Sequence, residues 1–156
     1  MTNQPVEPFH APELMVRLQT GGAFVAAGDQ SVETLIAALH HPDVEICWRA
    51  IVALGWIGDT RALEALVGLL DNPTYEIKVS VVWALGQLGD PRAVHPLLEI
   101  LHQEDTSNPD VAYLAALALL RFGLVEPLRH SLDSPHDYHF RAAHAALASR
   151  KYEEVS

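Results

Sequence analysis

Ala-Leu-Gly-Trp-Ile-Gly-Asp, at residues 53–59, returns as Ala-Leu-Gly-Gln-Leu-Gly-Asp at residues 84–90. The interval is 84 − 53 = 31 residues. A period between about 20 and 50 residues is typical of stacked helical units, which need their neighbours to bury their apolar faces. We therefore predict an all-α protein, an α-solenoid of stacked antiparallel helix pairs with about four to five repeats.

Breaks at proline and glycine divide the chain into helices of repeat length. The pattern predicts a helix at 31–40, and then repeats whose first and second helices alternate. First helices are predicted at 43–57, 75–88, 109–122 and 135–149, and second helices at 61–70, 91–102 and 125–132. We expect one domain over 11–149, with a short first helix at 11–20, a flexible tail at 1–10 and a charged tail at 150–156.

The composition excludes several classes of partner and location. The formal net charge is −10, which argues against nucleic acid or an anionic membrane as the partner. Cys47 is the only cysteine, so no internal disulfide forms. We find no secretory signal and no run of about 18 apolar residues that would span a membrane, and we expect a cytoplasmic protein.

The two clear repeats share one pattern of residue types. Each begins with an aliphatic residue, followed by a pair of small or aliphatic residues, then Ala-Leu-Gly and a final Gly-Asp. In one repeat the aliphatic residue is Ile46 and the pair is Ala50-Ile51. In the next they are Ile77 and Val81-Val82. This pattern resembles the HEAT family, specifically the short repeats of the phycobilisome (PBS) lyase type, and covers roughly 43–149. Cys47 and Lys78 stand where that family has arginine. The resemblance implies an α-solenoid and does not imply a lyase, because the repeat occurs in proteins of unrelated activity.

A helical wheel predicts an unusual outer face on the first helices. It places Ile46, Ala50, Leu54 and Ile57 on an inward stripe. The opposite side gathers the residues that we predict to bind a partner: Trp48, Val52, Trp56, Val79, Trp83, Tyr113, Leu117 and Phe140. Three interpretations stay open: a protein interface, a wheel phase that is off so that these side chains fill the space between repeats, or a face covered by residues 1–30.

A second candidate surface follows the second helices, which line the concave side of such solenoids. Its predicted partner-binding residues are Arg61, Glu64, Arg92, His95, Glu99 and His102. A solvated polar face, a partner contact and a metal site are alternative interpretations, since Glu99 and His102 have a ligand spacing known from helical bundles. We assign no metal ligands, because a metal ion needs three or four groups around it.

No motif for catalysis or phosphate binding occurs in the chain, so we assign no catalytic residues and favour a non-enzymatic role. Cys47 is interpreted as a buried, inert thiol. The predicted function is a scaffold or adaptor without a cofactor that binds another protein or forms a homodimer. The alternative, implied by the resemblance, is a bilin lyase subunit or phycobilisome-associated chromophore chaperone, with a bilin as its cofactor.

Overall fold

The computed structural model describes residues 32–102 and 109–126, and these ranges contain six α-helices and no strand. The helices are α1 (Val32–Ala38), α2 (Val44–Ile57), α3 (Leu63–Val67), α4 (Tyr75–Leu88), α5 (Val94–His102) and α6 (Pro109–Arg121). Short 3-10 turns, Thr60–Ala62 and Pro91–Ala93, lead into α3 and α5. The predicted tails at 1–10 and 150–156, the helices at 11–20 and 135–149, and Phe140 lie outside the described residues.

Two equivalent corners end the long helices α2 and α4. Gly58 and Gly89 adopt left-handed backbone, with φ of 70° and 65°. A glycine in this conformation closes an α-helix without a steric penalty. The next residue caps the following 3-10 turn, because Asp59 accepts a hydrogen bond from the Arg61 backbone N–H and Asp90 accepts one from the Arg92 N–H, both at 2.9 Å. The Gly-Asp repeat is therefore a corner that reverses the chain.

The helices stack in two layers, as expected for a solenoid. The long helices α2, α4 and α6 pack side by side in chain order. Each shorter helix packs on the long helix that follows it, α1 on α2, α3 on α4 and α5 on α6. The side chains that are fully buried between these layers are Ile51, Leu54, Leu63, Leu66, Ile77, Leu85, Leu97, Leu101 and Leu119. The predicted all-α solenoid is confirmed.

Glycine and alanine allow the long helices to approach closely at each junction. A Cβ atom on Gly55 would lie 2.5 Å from the Trp83 ring and 3.1 Å from the Cα of Ala84. A Cβ on Gly86 would lie 2.8 Å from the Cβ of Ala118. Gly55 and Gly86 each stand three residues before the corner glycine of their own repeat. Within each motif, the first glycine therefore allows close helix packing and the second glycine allows the turn.

The predicted inward stripe of α2 is half wrong. Ala50 and Leu54 are buried, but Ile46 and Ile57 are 40% and 39% exposed. The buried side instead includes Cys47, Ile51, Val52 and Gly55. The helical wheel assumes that a helix buries one side. Helix α2 packs against α1 and also, on its flank, against α4. The buried part of its circumference is therefore wider than predicted and rotated towards α4.

Candidate functional site

The structure removes two residues from the predicted outer face. Val52 is 2% exposed and Val79 is 0% exposed, so neither can contact a partner. Their burial follows from the same rotation of the buried arc, since each lies on the flank of a long helix next to its neighbour in the layer. Phe140 lies outside the described residues.

The remaining aromatic and aliphatic residues of the outer face have two kinds of environment. Trp48, Trp83, Tyr113 and Leu117 are half-buried and pack against the core. Trp56 is 40% exposed, among the large apolar side chains that the described residues present to solvent. These four residues therefore partly fill the space between repeats, which is one of the three interpretations given above. Trp56 remains accessible.

Trp56 and Trp83 form an edge-on aromatic pair, which we call the tryptophan pair. Their ring centroids are 5.7 Å apart and the rings are inclined by 61°. The pair joins α2 to α4, and the Trp83 ring covers the helix surface at Gly55. Aromatic rings prefer this arrangement because the positive edge of one ring meets the negative face of the other. The contact gives the exposed indole of Trp56 a packing partner on the neighbouring long helix.

Polar side chains occupy the equivalent place at the next junction. Gln87 and Arg121 are the counterparts of Trp56 in the next two repeats, at 87 − 56 = 31 and 121 − 87 = 34 residues. The Arg121 guanidinium donates a hydrogen bond to the Gln87 side-chain oxygen. At this one position the outer surface is therefore aromatic at the junction of α2 with α4 and polar at the junction of α4 with α6.

Three of the predicted concave-face residues, Arg61, Glu64 and Arg92, belong to an ion ladder that also includes Glu33, Asp59 and Asp90. Arg61 donates to the carboxylate of Asp59 at 2.7 Å and also pairs with Glu33 on α1. One repeat later, Arg92 donates to Asp90 at 2.7 Å and its guanidinium lies 3.8 Å from Glu64 on α3. The ladder thus links each corner to the short helix of the preceding repeat. The sequence analysis did not include Asp59 and Asp90 among the candidate residues of this surface.

The guanidinium groups shift the acidity of the corner carboxylates. The hydrogen bond from the Arg61 side chain lowers the pKa of Asp59, and the Arg92 side chain lowers that of Asp90 in the same way. Because both carboxylates stay ionised, each arginine has a fixed partner. Sequence spacing contained this signal, since Gly-Asp-x-Arg occurs at 58–61 and again at 89–92.

The histidine and thiol candidates have ordinary structural environments. His95 lies 3.4 Å from Glu99 on the same helix, and no group of three or more metal-ligating side chains gathers within residues 32–102 and 109–126. The Cys47 thiol is buried and donates a hydrogen bond to the Leu39 carbonyl at 3.1 Å. Burial raises the pKa of the Cys47 thiol, which favours the protonated form; the predicted burial of the thiol is confirmed.

Comparison with solved structures finds an engineered protein and a designed repeat protein. An engineered protein matches with 25% identity over 86% of this chain and 67% of its own, at a TM-score of 0.49. A designed armadillo repeat protein in complex with the peptide (KR)4 matches with 20% identity over 91% of this chain and 77% of its own, also at 0.49. No curated protein matches. In the part of the chain that the structure describes, no helix has the length and apolarity needed to cross a membrane.

The family comparison covers most of the chain. The model for HEAT repeats matches residues 10–80 and again residues 69–149. The two overlapping matches agree with the observed stack, in which each long helix packs on the next and each short helix fills the second layer. The chain belongs to the HEAT repeat family.

Proposed function

We propose that this HEAT repeat protein is a non-enzymatic scaffold that binds another protein through the tryptophan pair. The exposed indole of Trp56, fixed against Trp83, is the observation that carries the proposal. Tryptophan is enriched among the residues that dominate protein–protein binding energy, because it buries a large rigid surface. The contact with Trp83 restricts the Trp56 side chain, which reduces the conformational entropy lost on binding.

The ion ladder is less suited to be the main contact. Its arginines already hold Asp59 and Asp90, and a partner's carboxylate would have to compete with those bonds. The simplest partner is therefore one that presents an apolar surface to the outer face, and a second copy of this chain is the simplest such partner. A C2 dimer would place two tryptophan pairs against each other.

The test replaces Trp56 by glutamate and uses Val44→Glu as the matched control. Val44 is also an exposed apolar residue of α2, at its first position, where a carboxylate is favourable to the helix. We expect light scattering to show a concentration-dependent dimer for the wild type and Val44→Glu, and a monomer for Trp56→Glu. If all three proteins are monomers, affinity capture from native lysate with the same variants tests a different partner; a partner retained by Trp56→Glu would refute the proposal.

Bilin binding, and with it the phycobilisome lyase type of repeat, remains the alternative function. Arg61, Arg92, His95 and His102 offer cationic and hydrogen-bonding groups of the kind that bind propionates. The pairing of both arginines within the ion ladder makes this alternative less favourable than a protein partner. Titration with an open-chain tetrapyrrole, followed by visible absorbance, distinguishes the two, since a scaffold without a cofactor produces no shift.

A further inference from the structure

One arginine of the outer face has no carboxylate partner within residues 32–102 and 109–126. These ranges hold four arginines. Two of them pair with the corner carboxylates of the ion ladder, and Arg49 pairs with Glu45 at 3.0 Å. Arg121, in the last turn of α6, is exposed and donates instead to the neutral side-chain oxygen of Gln87. Its charge is therefore not neutralised by any described carboxylate, although the chain has a formal net charge of −10.

Gln87 and Arg121, which we call the donor pair, present hydrogen-bond donors to a ligand. The Gln87 oxygen accepts the bond from Arg121, so the amide nitrogen of Gln87 is left to donate. A guanidinium has five N–H donors in a planar fork, and most of those of Arg121 remain available. A carboxylate accepts two parallel hydrogen bonds from such a fork, and its charge makes them stronger than bonds between neutral groups. The donor pair therefore suits a carboxylate.

The donor pair and the tryptophan pair form one continuous surface. Trp83 lies four residues before Gln87 on α4, so the two side chains are neighbours on the same side of the helix. Trp83 in turn contacts Trp56 on α2. Packed helices lie about 8–10 Å apart, which places Arg121, two junctions from Trp56, at about 16–20 Å from it. An extended peptide rises about 3.3 Å per residue and covers that distance in about five or six residues.

We propose that the partner is a protein segment in extended conformation that carries an apolar anchor and an acidic side chain. The anchor, aromatic or aliphatic, contacts Trp56, and an aspartate or glutamate about five or six residues away binds the donor pair. The inference rests on the proposed function for its apolar end and adds the acidic end. A single arginine suits a carboxylate with one charge, whereas phosphate recognition typically employs a cluster of arginines.

The test selects a phage-displayed library of random peptides of about 12 residues on the full chain, immobilised at low density so that copies do not cover one another. We expect the enriched peptides to carry an aromatic or aliphatic residue and an acidic residue about five or six positions apart. Selection on Arg121→Glu should lose the acidic position and keep the apolar one. Arg49→Glu makes the same change of charge at another exposed arginine of a long helix, and it should enrich the same peptides as the wild type.

A synthetic peptide from the selection then tests the pairing directly. Arg121→Gln removes the charge, and replacing the acidic residue of the peptide by its amide removes the other partner. We expect each change alone to raise Kd about fivefold, as for a partly exposed ion pair. The two changes together should raise Kd no more than either one, because both remove the same contact.

Three results would overturn the inference: enriched peptides without an acidic position, no enriched peptide, or two changes whose effects on Kd multiply. The outcome for Trp56→Glu separates this inference from the proposed function. Peptides that Trp56→Glu fails to bind and that Arg121→Gln binds as tightly as the wild type remove only the acidic end. Peptides that depend on Arg121 and bind Trp56→Glu unchanged remove the tryptophan pair as the anchor, and with it both proposals.

Discussion

At the scale of single residues, small side chains set the distance between the long helices. Gly55 and Gly86 occupy the same place in consecutive repeats, and each faces an alanine region of the next long helix. A glycine inside a helix reduces its intrinsic stability by about 1 kcal/mol relative to alanine. Packing at the junction outweighs that loss, since a methyl group has no room there.

Gly55→Ala is therefore expected to destabilise the protein although alanine is the better helix former. The new Cβ would overlap the Trp83 ring at 2.5 Å and crowd the α4 backbone at 3.1 Å, so the ring must turn away and the two helices must move slightly apart. We expect a loss of about 1–3 kcal/mol in the free energy of unfolding, measured by urea denaturation.

Gly68→Ala is the control for this substitution. A Cβ at Gly68 would meet only backbone oxygens at 3.5 Å and 3.6 Å, and its backbone is right-handed helical. This variant should be neutral or slightly more stable than the wild type. Equal destabilisation of both variants would show that the close approach of α2 and α4 is not what requires glycine at position 55.

At the scale of elements, the corner between a long and a short helix combines a turn with an ion pair. Asp90 caps the turn before α5 and holds the Arg92 guanidinium, which in turn reaches Glu64 on α3. The same three roles fall to Asp59, Arg61 and Glu33 one repeat earlier. The ladder therefore links the corner to the preceding short helix, through ion pairs that are mostly exposed and screened by water.

The lowered pKa of Asp90 predicts a specific pH dependence for Asp90→Asn. The folded carboxyl has a lower pKa than the unfolded one, so its charge stabilises the protein above the unfolded value, about 3.9, and this stabilisation is lost as pH falls through the folded value. Asparagine still caps the turn but has no charge.

We therefore expect Asp90→Asn to have a lower Tm than the wild type at pH 7, and the difference to shrink as the pH falls below about 4 and through the lowered folded value. Thermal unfolding followed by circular dichroism between pH 2.5 and 7 measures the difference. Asp71→Asn, an exposed change outside the two corners, serves as the control. A difference that persists unchanged in acid would mean that capping geometry, and not the ion pair, accounts for the effect.

At the scale of the whole molecule, stability passes from one repeat to the next through the long helices. Helix α4 packs on both α2 and α6, and the fully buried Leu85 lies in its last turns. In such stacks the free energy is approximately the sum of repeat terms and nearest-neighbour terms. Damage to a central repeat should therefore reach both neighbours.

Leu85→Ala is expected to reduce the free energy of unfolding by about 2–5 kcal/mol, since it leaves a cavity in the packed layer. Hydrogen exchange should show lost protection in α2 and α6 as well as in α4. Leu69→Ala, at a half-buried position after α3, should cost less and leave α6 unaffected. Loss of protection confined to α4 would contradict coupling between the repeats.

The sequence alone determined the architecture, because a 31-residue period and the Gly-Asp corners leave few ways to bury the apolar residues. The predicted helices at 43–57 and 75–88 agree with the observed α2 and α4 to within one residue. These features depend on local chemistry, namely propensity, capping and left-handed glycine, which neighbouring residues in the chain specify.

Only the tertiary structure decided which residues of the long helices reach the surface. Val52 and Val79 are buried and Ile46 and Ile57 are exposed, against the prediction, because a helix inside a layer is covered on its flanks by helices that are distant in sequence. The pairing of Arg61 with Glu33 and of Trp56 with Trp83 likewise depends on how one repeat is placed on the next. A helical wheel describes one helix without its neighbours. It therefore predicts which residues share a side of the helix, and it does not predict which of those residues contact another helix.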